Sequence, residues 1–379
     1  MSTAAGDDDI ATSTMFELFA RYVGRDGGPL YQRICEGAAR DAAVCALLEV
    51  APLGQRRPNL LLASVHYLLL GGVDDPLAAY YPTVAEWRDE QHLGQAPDPQ
   101  RIFSHFASFC RAHREELVVL LTSRATQTNE VGRCAAFLPA FAHLAAEHGQ
   151  TLAICDLGTS AGLNLFFDRY AYDYGAAGHA GAADSAVQLH CEVRHGSLGD
   201  LAVPEVTWRA GIDRQPIRVA DEEASLWLLA CQWPDHLDRF RRTRGAIEIA
   251  RSALPVVLVE GDLVDGVADL AAGAPPAAHL CITHSWVAAY LSAGRQTELA
   301  EQVTSIAAHR PLSWLYAEQP FEVPALPMPP APGGEHVSAA SALVLHELGP
   351  GRPLGPGRRL ADLHAHGRWL HWWGAAAPT

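Results

Sequence analysis

Between residues 152 and 164 an apolar run, Leu152-Ala-Ile-Cys155, ends in Asp156 and opens into Leu157-Gly158-Thr-Ser160-Ala-Gly162-Leu-Asn164. Glycines at 158 and 162 let the backbone take φ > 0 or approach a ligand closely. Ser160 is suited to cap a helix beginning at the run Leu163, Leu165, Phe166, Phe167. The dinucleotide fingerprint needs a third glycine between these two, so serine at 160 counts against a pyrophosphate lying there. Other apolar runs also end in groups that can do chemistry: Asp213, Asp262 (followed by Leu263), His284 and Glu318. An imidazole titrates near neutral pH, which makes His284 a candidate proton acceptor. Glu318 is a second candidate, or would hold an amine or guanidinium group. Asn129 precedes Glu130 and Arg133, which share a helix face. Arginine is suited to grip a carboxylate in bidentate fashion.

Histidines gather in His364-Ala-His366 with His371, and in His190-Cys191 with His195. No H-E-x-x-H or C-x-x-C spacing accompanies them, so no metal is expected. No G-x-S-x-G elbow and no Walker motif appears.

These residues need elements to position them. Runs at 152–157, 206–217, 256–263, 279–285 and 312–318 read as five strands with helical stretches between them. Strand alternating with helix implies a parallel sheet, and in such sheets ligands bind outside the carboxyl ends of the strands. Residues 320–334 are a proline-rich loop, and Ser341–Leu348 and Gly367–Trp373 are expected to pair as a closing antiparallel hairpin. Val187–Arg194 alternates like a half-buried strand inside an insertion over residues 174–204. Residues 1–14 are small, polar and acidic and read as a disordered tail. The stretch 15–125 reads as an all-helical domain, and the helical pattern runs on to Leu144 with roughly five to seven helices in all. Within it Ser64–Pro82 carries His66, Tyr67, Tyr80 and Tyr81. Singly such rings pack and their polar tips find partners; as a cluster they are candidates to wall a substrate pocket.

The chain has 379 residues, 49% of them apolar, and a net charge of −15. That balance argues against nucleic acid, which needs a basic footprint, and against an anionic membrane surface. The eight cysteines read as small core residues of a reducing compartment. No signal-peptide pattern opens the chain, and the apolar runs are too short to span a bilayer. A cytoplasmic protein is expected.

The turn Asp156-Leu-Gly158-Thr-Ser-Ala-Gly162 resembles the first motif of class I S-adenosylmethionine-dependent methyltransferases, an acid-x-Gly-x-x-x-Gly turn. The resemblance implies an α/β fold: a Rossmann-like methyltransferase sheet with a closing antiparallel hairpin, here preceded by the all-α domain as a cap. It implies S-adenosyl-L-methionine as cofactor and S-adenosyl-L-homocysteine as product. Asp156, Gly158, Ser160, Gly162 and Asn164 then bind the cofactor, Asp213 takes the ribose hydroxyls, and Asp262 and Leu263 lie beside the adenine. Arg133 is the candidate for the cofactor carboxylate. His284 and Glu318 are the catalytic candidates, and His66, Tyr67, Tyr80, Tyr81, Asn129 and Glu130 the substrate-binding ones. A departure is the gap from Gly162 to Asp213, longer than the usual spacing of about 20 residues. The insertion accounts for it if that segment leaves the sheet; otherwise Asp168 or Asp173 competes for the ribose. Over residues 15–373 the chain also resembles a bacterial family known only as a domain of unknown function, on Ser64–Pro82, Thr126–Arg133 and Asp156–Asn164. The expected activity is methyl transfer to an oxygen or nitrogen of a small molecule, by a Rossmann-like domain over residues 126–379. The alternatives are a non-catalytic binding module with a degenerate methyltransferase fold, and a nicotinamide-dependent oxidoreductase.

Overall fold

A computed structural model describes residues 10–89, 97–253, 256–332 and 340–374. Apolar residues at helical spacing give α1 (Thr12–Arg25), α2 (Pro29–Ala38), α3 (Ala42–Leu48), α4 (Pro58–Leu70), α5 (Pro82–Trp87), α6 (Ile102–Ala112), α7 (Arg114–Ser123) and α8 (Cys134–His148). Prolines open α2, α4 and α5, where the missing N–H is not needed. The Asp41 carboxylate caps α3 through the Ala43 and Val44 N–H groups. The first helix starts at Thr12, inside the expected tail, whose first nine residues lie outside the described ones.

The rest of the chain alternates. β1 (Leu152–Leu157) is followed by four short strands: β2 (Ala171–Asp173), β3 (His179–Ala180), β4 (Gln188–His190) and β5 (Glu192–His195). Then come β6 (Val206–Asp213), α9 (Glu222–Ala230), α10 (Leu237–Ser252), β7 (Val257–Glu260), α11 (Leu263–Ala272) and β8 (His279–Ser285). The last elements are α12 (Ala293–Ala307), β9 (Leu312–Glu318), β10 (Ser341–Leu348), β11 (Arg358–Leu363) and β12 (Trp369–Trp372). The fold is mixed α/β. Nine strands form one mostly parallel sheet in the order β5-β12-β11-β10-β9-β8-β1-β6-β7, and β3-β2-β4 form a second, small one.

The chain divides into two compact units. One is helical and holds residues 10–128 together with Ala220–Arg244. The segment 220–244 therefore belongs with the helices rather than with the sheet domain expected from residue 126 onward. Its anchors are specific. The Trp227 indole N–H donates to Ala125 O at 2.9 Å, and Arg241 pairs with Glu86 at 2.5 Å.

The other unit holds Asn129–Val219 and the chain from Gly245 onward. On one face of its sheet Leu280, Ile282, Trp314 and Tyr316 pack with Val264, Val267, Leu299 and Val303 of α11 and α12. On the other, Phe141 of α8 stacks on Phe167 at 4.4 Å.

Three expectations are corrected here. The segment after β1 is a 3-10 helix, Leu163–Arg169, broken at Phe166, and leads into β2 instead of forming an α-helix. The insertion leaves the main sheet only in part: β4 joins the small sheet beside β2, while β5 pairs in parallel with β12 at the far edge. The closing element is a three-stranded meander, with β11 between β10 and β12. No helix among the described residues is long and apolar enough to cross a membrane.

Candidate functional site

β1 pairs in parallel with β6 on one side and β8 on the other. From there the sheet grows in two directions, through β6 to β7 and through β8 to β9. Such a reversal opens a crevice at the carboxyl ends of the two central strands. The loop leaving β1 carries Gly158 at φ 72°, Ser160 at φ 53° and Gly162 at φ 70°. The loop leaving β8 carries Trp286 at φ 53°. Ser160 and Trp286 are two of the three described non-glycine residues with positive φ, and both stand at these adjoining strand ends. For a bulky side chain that backbone is costly, and it persists where surroundings enforce it.

Those surroundings are polar and local. Asp213, at the end of β6, accepts from the Ser160 N–H and the Gln215 N–H, each at 2.9 Å. Asn129 Oδ1 accepts from the Ala161 N–H at 3.2 Å and the Leu163 N–H at 3.1 Å. Asn129 thus takes the capping role expected of Ser160: at φ 53° Ser160 lies within the loop, and Gly162 occupies the cap position without a side-chain bond. Gly158 has no room for a side chain, since a methyl there would lie 2.5 Å from Val287 Cγ2.

Arg133 ties three segments together. Its Nη1 donates to Ser285 O and Oγ at 3.1 and 3.2 Å, its Nε donates to Ala365 O, and its guanidinium covers the Trp286 ring at 4.3 Å. Glu130 accepts from the Gly132 N–H at 3.0 Å and pairs with His366 at 2.9 Å. Asn129, Glu130 and Arg133 therefore lash the β1 loop, the β8 loop and the β11–β12 turn to one another.

Asp156 accepts from the Thr283 hydroxyl at 3.0 Å. Burial pushes its carboxyl up to about 6, against the hydrogen bonds that favour the charged form. With Asn164, Thr283, Ser285 and Cys134 it borders a cavity of about 20 Å³, room for about one water. Burial raises the Cys134 thiol well above its ordinary range, so it is a neutral wall there and no nucleophile. On the opposite face His284 Nδ1 and Glu318 Oε1 lie 2.9 Å apart, both side chains fully buried. His284 Nε2 and Glu318 Oε2 have no hydrogen-bond partner among the described residues.

Asp262 is placed differently. It caps α11 through the Val264 N–H and meets Arg214 at 2.9 Å and Arg295 at 2.6 Å. Burial alone would raise its carboxyl, but those donors hold it down to about 2. Leu263 is a core residue of the α11 face. Asp168 is paired with buried Arg209 at 2.5 Å, and Asp173 with His179 and His190 at 3.0 Å each. Both of the alternative ribose acids are therefore engaged elsewhere.

In the helical unit His66 is fully buried, with Nε2 2.7 Å from Thr83 Oγ1 and Nδ1 3.0 Å from Ala230 O. Burial lowers its pKa to about 4, so the ring is neutral. Tyr81 is buried against His66 and Tyr31, Tyr67 meets Trp227 edge-on, and the Tyr80 hydroxyl donates to Asp98 O. Of this set the His66 and Tyr81 rings adjoin, at 5.4 Å.

Sequence reasoning missed Trp286 and Val287, and it weighed His366 only as a metal ligand, not as the partner of Glu130. Trp286 is marked by a dihedral, which no residue pattern encodes. Val287 and His366 matter through segments distant in the chain, Gly158 and Glu130. Among the described residues no group of three or more His, Cys, Asp or Glu is arranged to hold a metal ion. No curated protein matches the chain. Over residues 13–372 it matches the bacterial family described as "Uncharacterized protein conserved in bacteria (DUF2332)", and it belongs to that family.

Proposed function

We propose that the chain binds S-adenosylmethionine at the carboxyl ends of β1 and β8 and transfers its methyl group to an oxygen or nitrogen of a small molecule. One observation carries the reading: the parallel order β7-β6-β1-β8-β9 sets an acid-x-Gly-x-x-x-Gly loop at the reversal point, with the acid of the next strand holding its backbone. Asp213 spends one contact per carboxylate oxygen on backbone N–H groups, so lone pairs remain for two hydroxyl donors. Asp156, lifted by burial, is the group that a nearby cation would return to its charged form. The cavity of about 20 Å³ beside it is too small for a nucleoside, since small-molecule pockets run from about 300 Å³ upward, so the reading sets the nucleoside outside the strand ends. When bound, the cofactor supplies an already activated methyl group. The chain's own task is then alignment and a dry approach.

Two observations favour a second reading, a non-catalytic binding module. Asp262 is committed to two arginines and a helix cap. The β1 loop also runs into a short 3-10 helix where an α-helix was expected. No observation favours the nicotinamide alternative, because the Ser160 N–H at the middle-glycine position is already taken by Asp213.

Calorimetric titration with S-adenosylmethionine, S-adenosylhomocysteine and NAD as control tests the proposal. Both sulfur ligands are expected to bind with about micromolar affinity and NAD not at all. Asp213→Ala, checked for folding by circular dichroism, is expected to abolish the binding. Failure of both sulfur ligands to bind the wild-type chain would sink the proposal. Binding without methyl transfer across a panel of small acceptors would favour the second reading.

A further inference from the structure

Glu318 ends β9 and His284 lies beside it near the end of β8, both at zero exposure. A carboxylate sealed from water needs donors, and Glu318 Oε1 has three. They are His284 Nδ1 at 2.9 Å, the Val287 N–H at 3.1 Å and the Ala288 N–H at 3.1 Å. The imidazole is held in turn: it lies flat on Tyr316, with ring centres 4.9 Å apart and planes 5° apart. The Tyr316 hydroxyl donates to Pro327 O at 2.6 Å. The Trp286 N–H donates to Ala317 O at 3.1 Å, so the β9 end grips three successive amides of the turn after β8.

We propose that Glu318, oriented by His284, is a positioning residue that holds the Trp286–Ala288 turn against the cofactor loop. The turn carries the left-handed Trp286 beneath the Arg133 guanidinium, and it sets Val287 into the space that Gly158 leaves open. Three amide donors on one β9 end give that backbone a reason to persist. Full burial keeps both side chains from the crevice itself, so they act on it through the turn and not as the reaction's proton acceptor. The effect on ligand binding rests on the methyltransferase reading; the effect on the turn does not.

Hydrogen–deuterium exchange by mass spectrometry on the full chain tests the turn, and titration with S-adenosylhomocysteine tests the consequence. In Glu318→Ala the Val287 and Ala288 amides are expected to exchange about tenfold faster, with β1 and the core of β8 unchanged. Glu318→Gln keeps an acceptor oxygen and is expected to restore most of the protection. Affinity for S-adenosylhomocysteine is expected to fall about tenfold in Glu318→Ala and to recover in Glu318→Gln. If Glu318→Ala does not fold, Glu318→Asp, which draws the carboxylate back by a methylene, takes its place with the same expectations. Exchange at these amides within about twofold of wild type overturns the positioning role. Faster exchange with unchanged affinity overturns its link to the cofactor loop. A wild-type chain that binds no S-adenosylhomocysteine defeats the proposed function, and the exchange result alone then decides the role of Glu318.

Discussion

Asp156 and Asp262 stand at the carboxyl ends of parallel strands in one sheet, and their surroundings pull them in opposite directions. Asp156 sits among Ile154, Phe137, Phe141 and Leu165, and burial lifts its carboxyl to about 6 although the Thr159 and Thr283 hydroxyls favour the charged form. Asp262 is also partly buried, yet Arg214, the Val264 N–H and Arg295 overcome that burial and hold it at about 2. At the β1–β8 end burial outweighs the neutral donors around the carboxylate, and no arginine among the described residues meets it there. At the β7 end the arginines prevail. Perturbed carboxylates gather at functional sites, and the contrast supports the proposal that places the ligand at the β1–β8 end.

The strongest way to break that contrast is to part the two loops. Gly158→Val puts a branched side chain at φ 72° and 2.5 Å from Val287, which should cost roughly 3–5 kcal/mol. Urea denaturation measures it, and a loss under about 1 kcal/mol would mean that the β8 turn yields freely.

Next comes the pH dependence of Asp156. Its folded pKa of about 6 lies above the unfolded value, so its contribution is fully present below about pH 3.9 and is lost as pH rises through the folded pKa. Asp156→Asn should therefore stabilise the protein by about 3 kcal/mol at pH 7.5, with the advantage nearly gone near pH 4. Equal wild-type and variant stabilities at both pH values would remove the contrast. For Asp262 the sign is reversed: its contribution is present above about pH 3.9 and falls away toward the folded value of about 2.

The smallest effect sharpens the β7 side. Arg214 is 73% exposed, and Asp262 keeps Arg295 and its cap without it. Arg214→Ala should cost about 0.5 kcal/mol or less in a thermal melt. A larger loss would show that Asp262 depends on this arginine.

Much of the sheet was legible before the structure. The runs that became β1, β8 and β9 are buried on both faces, and a strand buried on both faces is a near-continuous apolar run. β11 was not legible, because it begins with Arg358 and Arg359, whose charges are met by Glu347 and Asp362. β2 and β3 span three and two residues, too few for a period to show, while the alternation over Val187–Arg194 marked one strand where the chain makes two, β4 and β5. The site was legible as a set of residue types but not as a set of partners. Asn129 was read as a substrate contact, and it holds the amides of a loop 32 and 34 residues away.

The sequence by itself determined what depends on neighbours along the chain. It marked where apolar runs end in acids and where glycine permits a left-handed turn. Those outcomes follow from backbone sterics and burial, which act over a few residues. Only the tertiary structure decided which carboxylate burial prevails over, which is held by arginines, and which is sealed inside as Glu318 is. The energy of a charge is set by the donors and solvent around it, and here distant segments bring both.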